Sequence, residues 1–353
     1  MRILDRIIAP TARPYVIAEI SGNHMGDIDH ALALVRAAAA SGADAVKLQT
    51  YTADTITIDS DLPDFRIEDP ESLWDGRTLY DLYEEAHTPW DWHPALFAEA
   101  RKLGIHVFST PFDETAVDFL EDLDAPCYKV ASFEHTFVPL LKKVAATGKP
   151  IIVSCGLASI EDIRETYDVL KGAGAKEICL LACTSSYPAD IADSNLQRIP
   201  ALSNAFPDCQ VGLSDHTIGS TAAVVATAMG ATVIEKHLKL DDADDSVDAA
   251  FSANPSQMND YTEAIADGWS AIGTAHFGAA SSKEERSKRF RRSIYVVEDI
   301  AAGDRFSAQN MRCIRPGFGL HTKFYEDILG KTAEQDITRG TPLKRTMVSG
   351  LKP

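Results

Sequence analysis

The chain has 353 residues, 45% of them hydrophobic, which is more than one compact core of ordinary size holds and predicts one large domain with one small one. Its 52 Asp/Glu against 34 Lys/Arg give a net charge of −18, which argues against nucleic acid and anionic membranes as partners. Charge and proline interrupt MRILDRIIAPTARPYVIAEI where a signal peptide needs an apolar run, no stretch is long and apolar enough to span a bilayer, and the six cysteines lack the paired spacing of a zinc site or disulfide framework, so reduced thiols and a cytoplasmic location are expected.

Short apolar, β-branched runs alternate with longer segments of helical period. In chain order the predicted strands are 15–20, 43–48, 106–109, 127–131, 151–154, 177–181, 210–213 and 232–235. Helices are predicted over 28–40, 116–123, 160–171 and 221–229, with starts marked by Ser159-x-x-Asp162 and by Thr88-Pro89. Eight such units predict an α/β fold, a (β/α)8 TIM barrel over 1–280. The competing doubly wound sheet lacks a Gly-x-Gly-x-x-Gly after its first strand. About 40 residues, 52–92, separate the second strand from its helix and carry Trp74, Arg77, Tyr80, Tyr83, Trp90 and Trp92, which predicts a lid or binding loop. A polar linker is predicted at 281–289. From Phe290 onward 11 Lys/Arg face 7 Asp/Glu, a switch of sign that marks 290–353 as a separate basic domain. Its echo, Asp299-Ile300-x-x-Gly303 and Asp336-Ile337-x-x-Gly340, suggests a small β-rich module of two similar halves.

In a (β/α)8 barrel the catalytic groups stand at the C-terminal strand ends, so polar residues that close apolar runs are informative. Every run supplies one: Glu19; Lys47 and Gln49; Ser109 and Thr110; Lys129 and Ser132; Ser154; Thr184 and Ser185; Ser214, Asp215 and His216; Glu235 and His237. A lysine inside an apolar strand is costly unless it meets an anion or a carboxylate. Lys47 and Lys129 are therefore either ligands of a phosphate or carboxylate, or partners of a neighbouring Glu. The convergence of Ser132, Ser154 and Ser214 on the same mouth favours the anion. His216 and His237 end adjacent strands and can share a metal ion; with Glu19 and Glu235 they would make an N,N,O site for Mn²⁺, Mg²⁺ or Zn²⁺. Strand parity puts Glu235 and His237 on one face and Lys236 on the other.

The segments AEISGNHMGD, ADAVKLQTY, FSTPFD, YKVASFE, CTSSYP, VGLSDHT, VIEKHL and RPGFGL, in this order, closely resemble the sialic acid synthases. Those enzymes condense phosphoenolpyruvate with an open-chain acetamido sugar, and the similarity spans essentially the whole chain. It implies that the C-terminal part is an antifreeze-like (SAF) domain, and that His216 and His237 hold a divalent ion, usually Mn²⁺, with Mg²⁺ or Co²⁺ as alternatives. It further implies that Lys47, Lys129, Ser132, Ser154 and Ser214 hold phosphoenolpyruvate, joined by Ser185, which stands where some members have asparagine. The acceptor sugar would meet Gln49, Thr110, Phe112, Glu134, Tyr187, Asp248 and Arg315, and Glu19 or Glu235 would move the protons. The resemblance also implies a homodimer in which Arg315 reaches the barrel of the other protomer. Within the family, SLWDGRTLYDLYEEAHTPWDWH is most similar to pseudaminic acid synthases, which implies 2,4-diacetamido-2,4,6-trideoxy-L-altrose as acceptor. N-acetylneuraminate or legionaminate synthesis is the near alternative, and a non-catalytic sugar-binding protein is the alternative of a different class.

Overall fold

The computed structural model describes residues 1–70 and 72–351. The chain divides between Gly273 and Thr274 into two compact units, ahead of the expected boundary at 280. The segment expected to be a linker holds a short helix, Ser282–Ser287, which Ser281 caps by accepting from Glu284 N. The period of that stretch is masked in the sequence because it has no apolar face.

Eight parallel strands close the first unit into a barrel: β1 (Tyr15–Glu19), β2 (Ala45–Thr50), β3 (His106–Pro111), β4 (Tyr128–Val130), β5 (Ile151–Ser154), β6 (Ile178–Cys183), β7 (Gln210–Asp215) and β8 (Val233–His237). Each lies on an expected run. β2, β3, β6, β7 and β8 continue past their expected ends, and the ladder keeps polar residues such as Gln49, Thr110, Ser214 and His237 that line the barrel mouth. The helices follow the expected signals: Ile28–Ala40 begins where Asp27 accepts from Asp29 N, and it buries Ala31, Leu34, Val35 and Ala38 at helical spacing. Ile160–Gly172 opens with the expected capping box of Ser159 and Asp162. Thr88-Pro89 does not start a helix. Thr88 is buried with its hydroxyl unpaired among the described residues, and a 3-10 turn, Trp90–Trp92, intervenes before the helix His93–Leu103.

Two apolar layers hold the barrel. The larger lies between strands and helices. The smaller fills the barrel floor with Tyr15, Ile17, Phe108, Ile152 and Leu181, and is closed from below by Ile3 and Ile8 of an N-terminal hairpin, in which Arg2–Ile3 pairs with Arg6–Ile7. Each such fully buried side chain contributes roughly 1.5–3 kcal/mol. No helix among the described residues is long and apolar enough to cross a membrane. The six cysteines are free thiols.

The second unit pairs β9 (Ser293–Val296) with β10 (Met311–Ile314) and packs Ile294, Val296, Phe306, Ile328 and Leu343 into its own core. The sequence echo is physical: Ile300 and Ile337 exchange both backbone hydrogen bonds (2.9 and 2.8 Å). Asp299 accepts from Arg339 N (2.7 Å) and Asp336 from Ala302 N (2.8 Å), so each half caps the other.

Candidate active site

The barrel register sets the site. Glu19 of β1 lies between His237 of β8 and Lys47 of β2, and Glu235 of β8 lies beside Ser214 of β7. Period-two alternation turns these residues inward, and they meet at the mouth. Lys47 Nζ pairs closely with Glu19 Oε2, donates to Thr110 Oγ1 (2.9 Å) and lies 3.9 Å from Glu235 Oε2. Lys129 Nζ donates to Glu235 Oε1 at 3.1 Å. All four charged groups are buried, two cations against two carboxylates, which keeps their desolvation tolerable only while the set stays together. The lysines thus take the glutamate partners that sequence left as one option, while both also line a cavity of about 410 Å³ above the strand ends. Burial raises the Glu235 carboxyl, but Lys129 and then Lys47 outweigh it and hold the group below its ordinary range.

His216 and His237 face each other across the cavity wall with ring centroids 5.4 Å apart. The Nδ1 of His216 donates to Thr184 O at 2.9 Å, which leaves Nε2 for another partner. His237 Nδ1 lies 3.4 Å from Ser21 Oγ and 3.7 Å from Asp248 Oδ2, so its Nε2 is the free acceptor. Burial, and then the charges of His216 and Lys47, push the His237 imidazole well below its usual range, so the ring is neutral. A neutral His237 beside His216, each with Nδ1 already turned to a protein partner, suits a divalent ion whose remaining positions go to water or substrate. The expected carboxylate ligands do not join them: among the described residues no three His, Cys, Asp or Glu are gathered to hold a metal. Glu19 and Glu235 are held by the lysines instead.

The expected anion side is a cluster of small polar groups. Ser132, Ser154 and Ser214 line the cavity, and the buried Ser154 hydroxyl has no partner among the described residues, as a group awaiting a ligand would. Gly156, which sequence reading passed over, makes room for them. A Cβ there would stand 2.1 Å from Ser185 Oγ and 2.7 Å from Ser132 Oγ. Ser185, expected with the donor's ligands, is not among the residues that line the cavity. Cys183, expected only as a reduced thiol, lines the cavity. Burial would raise its pKa, but the hydrogen bond and charge of His216, with help from Ser132 and Lys129, bring it down to about 7.

Of the residues implied for the sugar, Gln49, Thr110, Phe112, Glu134, Tyr187 and Asp248 all line the cavity. Arg315 belongs to the second unit, where it is exposed. The long connection supplies the upper wall: Leu79, Leu82, Tyr83 and Ala86, one face of the helix Leu79–Ala86, together with Ile56, Ile67 and Trp74. Trp74 Nε1 donates to Val247 O (3.2 Å) and its ring stands 6.0 Å from that of Tyr187. Two residues expected over the site point elsewhere. Arg77, ahead of the helix, pairs with Glu85 at 2.7 Å, and Tyr80 bonds Asp54, because helical spacing sends position 80 away from 79, 82, 83 and 86. Glu19, expected as a catalytic carboxylate, sits beneath Lys47 and off the cavity wall, whereas Glu235 is on it.

Residues 34–277 match the model of the NeuB family and residues 291–349 that of the SAF domain. A pseudaminic acid synthase of Campylobacter jejuni is 42% identical over 331 residues, 94% of this chain and 95% of that protein. One of Helicobacter pylori is 40% identical over 330 residues, 94% and 96%. An N,N'-diacetyllegionaminic acid synthase of Legionella pneumophila is 33% identical over 335 residues, 93% of each. The solved structure of the spore coat polysaccharide biosynthesis protein spsE of Bacillus subtilis superposes with a TM-score of 0.67 at 30% identity, covering 100% of this chain and 99% of that one.

Proposed function

The chain belongs to the NeuB family, and we propose that it is a pseudaminic acid synthase, condensing phosphoenolpyruvate with 2,4-diacetamido-2,4,6-trideoxy-L-altrose to give pseudaminic acid and phosphate. The observation that carries the reading is the buried set of Lys47, Glu19, Glu235 and Lys129 at the barrel mouth, beside His216 and His237 on the wall of one cavity. The likeness to two pseudaminic acid synthases at 40% and 42% identity, nearly end to end, supports this acceptor over the legionaminate and N-acetylneuraminate alternatives.

Lys47 and Lys129 neutralise the phosphate and carboxylate of the donor, and the hydroxyls of Ser132, Ser154 and Ser214 orient it. The donor's C3 bonds to the sugar's aldehyde carbon, and positive charge appears at C2. Water adds there and phosphate leaves with cleavage of the C–O bond, so one water is consumed for each phosphate released. Glu235, ionised and on the cavity wall, takes the proton of that water. Glu19 fixes Lys47 from below. A divalent ion on His216 and His237, Mn²⁺ by family resemblance, would supply Lewis-acid polarisation of the aldehyde oxygen. The active form is a homodimer in which Arg315 of one protomer completes the acceptor site of the other. Six free thiols fit the reducing cytoplasm as its location.

The test is phosphate release from phosphoenolpyruvate with Mn²⁺ and a panel of acetamido sugars. The diacetamido trideoxy altrose should give the highest kcat/KM, and chelation, His216→Ala or His237→Ala should abolish turnover. Higher kcat/KM with N-acetylmannosamine would overturn the acceptor, full activity without metal would overturn the cofactor, and sugar binding without phosphate release would make the protein a non-catalytic binder.

A further inference from the structure

Ser21 follows β1 and is assigned no role by the motifs that identify the site. It is buried, with φ at 38°, in the left-handed region where a side chain is strained and glycine would be comfortable. Three contacts hold it there. Its backbone N–H donates to Glu19 Oε1 at 2.8 Å, its hydroxyl donates to Asp248 Oδ2 at 2.5 Å, and the same oxygen lies 3.4 Å from His237 Nδ1. A serine hydroxyl has one proton to give. With that proton on Asp248, the Ser21 oxygen is an acceptor toward His237, and the imidazole proton must sit on Nδ1.

We propose that Ser21 is a positioning residue that fixes the tautomer and orientation of His237, so that its Nε2 is presented to a divalent cation. Asp248 anchors the hydroxyl and Glu19 anchors the backbone, so the loop after β1 is tied to the strand end that carries the histidine. A backbone strain kept at a site where glycine would relieve it indicates that the hydroxyl is worth more there than relaxed geometry. The inference rests on reading His216 and His237 as metal ligands.

The experiment is an EPR titration of the metal-stripped full-length protein with Mn²⁺, alongside thermal melts, for the unaltered chain, Ser21→Ala and Ser21→Gly. Loss of an outer partner of a metal-bound histidine weakens affinity by about 10–100-fold, and both variants should show that loss. Ser21→Gly should nonetheless melt no lower than the unaltered protein, since it relaxes the left-handed backbone; this separates positioning from a structural role and covers the case in which the alanine variant fails to fold. Mn²⁺ affinity within about twofold of the unaltered chain in folded Ser21→Gly overturns the proposal. An unaltered chain that binds no Mn²⁺ overturns the metal reading itself, and the proposal with it.

Discussion

Glu134 lines the cavity with one carboxylate oxygen unpaired among the described residues, and burial, opposed by the charge of Lys129, pushes its carboxyl from 4.5 up to about 7. In the unfolded chain the group ionises first. The folded state therefore holds the extra proton between pH 4.5 and about 7, and stability falls as pH rises through that window, by up to about 3 kcal/mol. Glu134→Gln should remove this slope: denaturant unfolding at pH 5 and at pH 8 should differ less for the variant, which should be the more stable protein at the higher pH. An unchanged difference would place the Glu134 titration near its ordinary value. Single residues were legible in the sequence where polarity broke an apolar run, as with Lys47, Lys129 and Glu235. Gly156 was not, because a glycine's importance lies in the space its missing Cβ leaves, and that space is made by Ser132 and Ser185 from other strands. Ser21 and Cys183 were hidden by chemistry that only neighbours confer, His237 in one case and His216 in the other.

At the scale of elements, the wall built by the long connection is mostly apolar, and Trp74 fastens it to the loop after β8 through Val247. Since the proposed anion side is made of residues on or just after β2, β4, β5 and β7, the proposed reading gives the wall to the acceptor and not the donor. Trp74→Ala should raise the KM of the acceptor by about tenfold, the worth of a little over 1 kcal/mol of lost contact, and leave that of phosphoenolpyruvate within about twofold. A parallel rise in both constants would show that the substitution had loosened the barrel mouth as a whole. The eight strands could be read from sequence because each is a short, mainly apolar run, buried on both faces as parallel strands are. The orientation of the wall could not be read by listing aromatic residues. It is decided by helical spacing in Leu79–Ala86, which admits Tyr83 and turns Tyr80 out.

For the molecule as a whole, the exposed Arg315 makes no hydrogen bond or ion pair among the described residues, so its guanidinium is available to a ligand or another protomer. If it acts across a dimer, Arg315→Ala and His237→Ala proteins, each inactive alone, should regain roughly a quarter of full activity when mixed one to one with subunit exchange, because half the dimers then carry one intact site of two. Exchange seen by native mass spectrometry with no recovered phosphate release would place Arg315 in its own protomer's chemistry or outside it. The two-unit organisation was legible from the charge switch at Phe290, but its border at Gly273 was not, since charge changes only beyond the helix end at Ile272 and the apolar stretch after it. Barrel closure also has a consequence in time. β1 takes its second neighbour from β8, Tyr15 opposite Val233, so the strand made first stays half-paired until nearly the whole first unit has been synthesised. Ile3 and Ile8 have no complete floor to plug before then. The nascent barrel is an open sheet with two bare edges, vulnerable to pairing with other chains, and its commitment comes in one late, long-range step. The C-terminal unit, whose strand partners all lie within its own short segment, has no such wait.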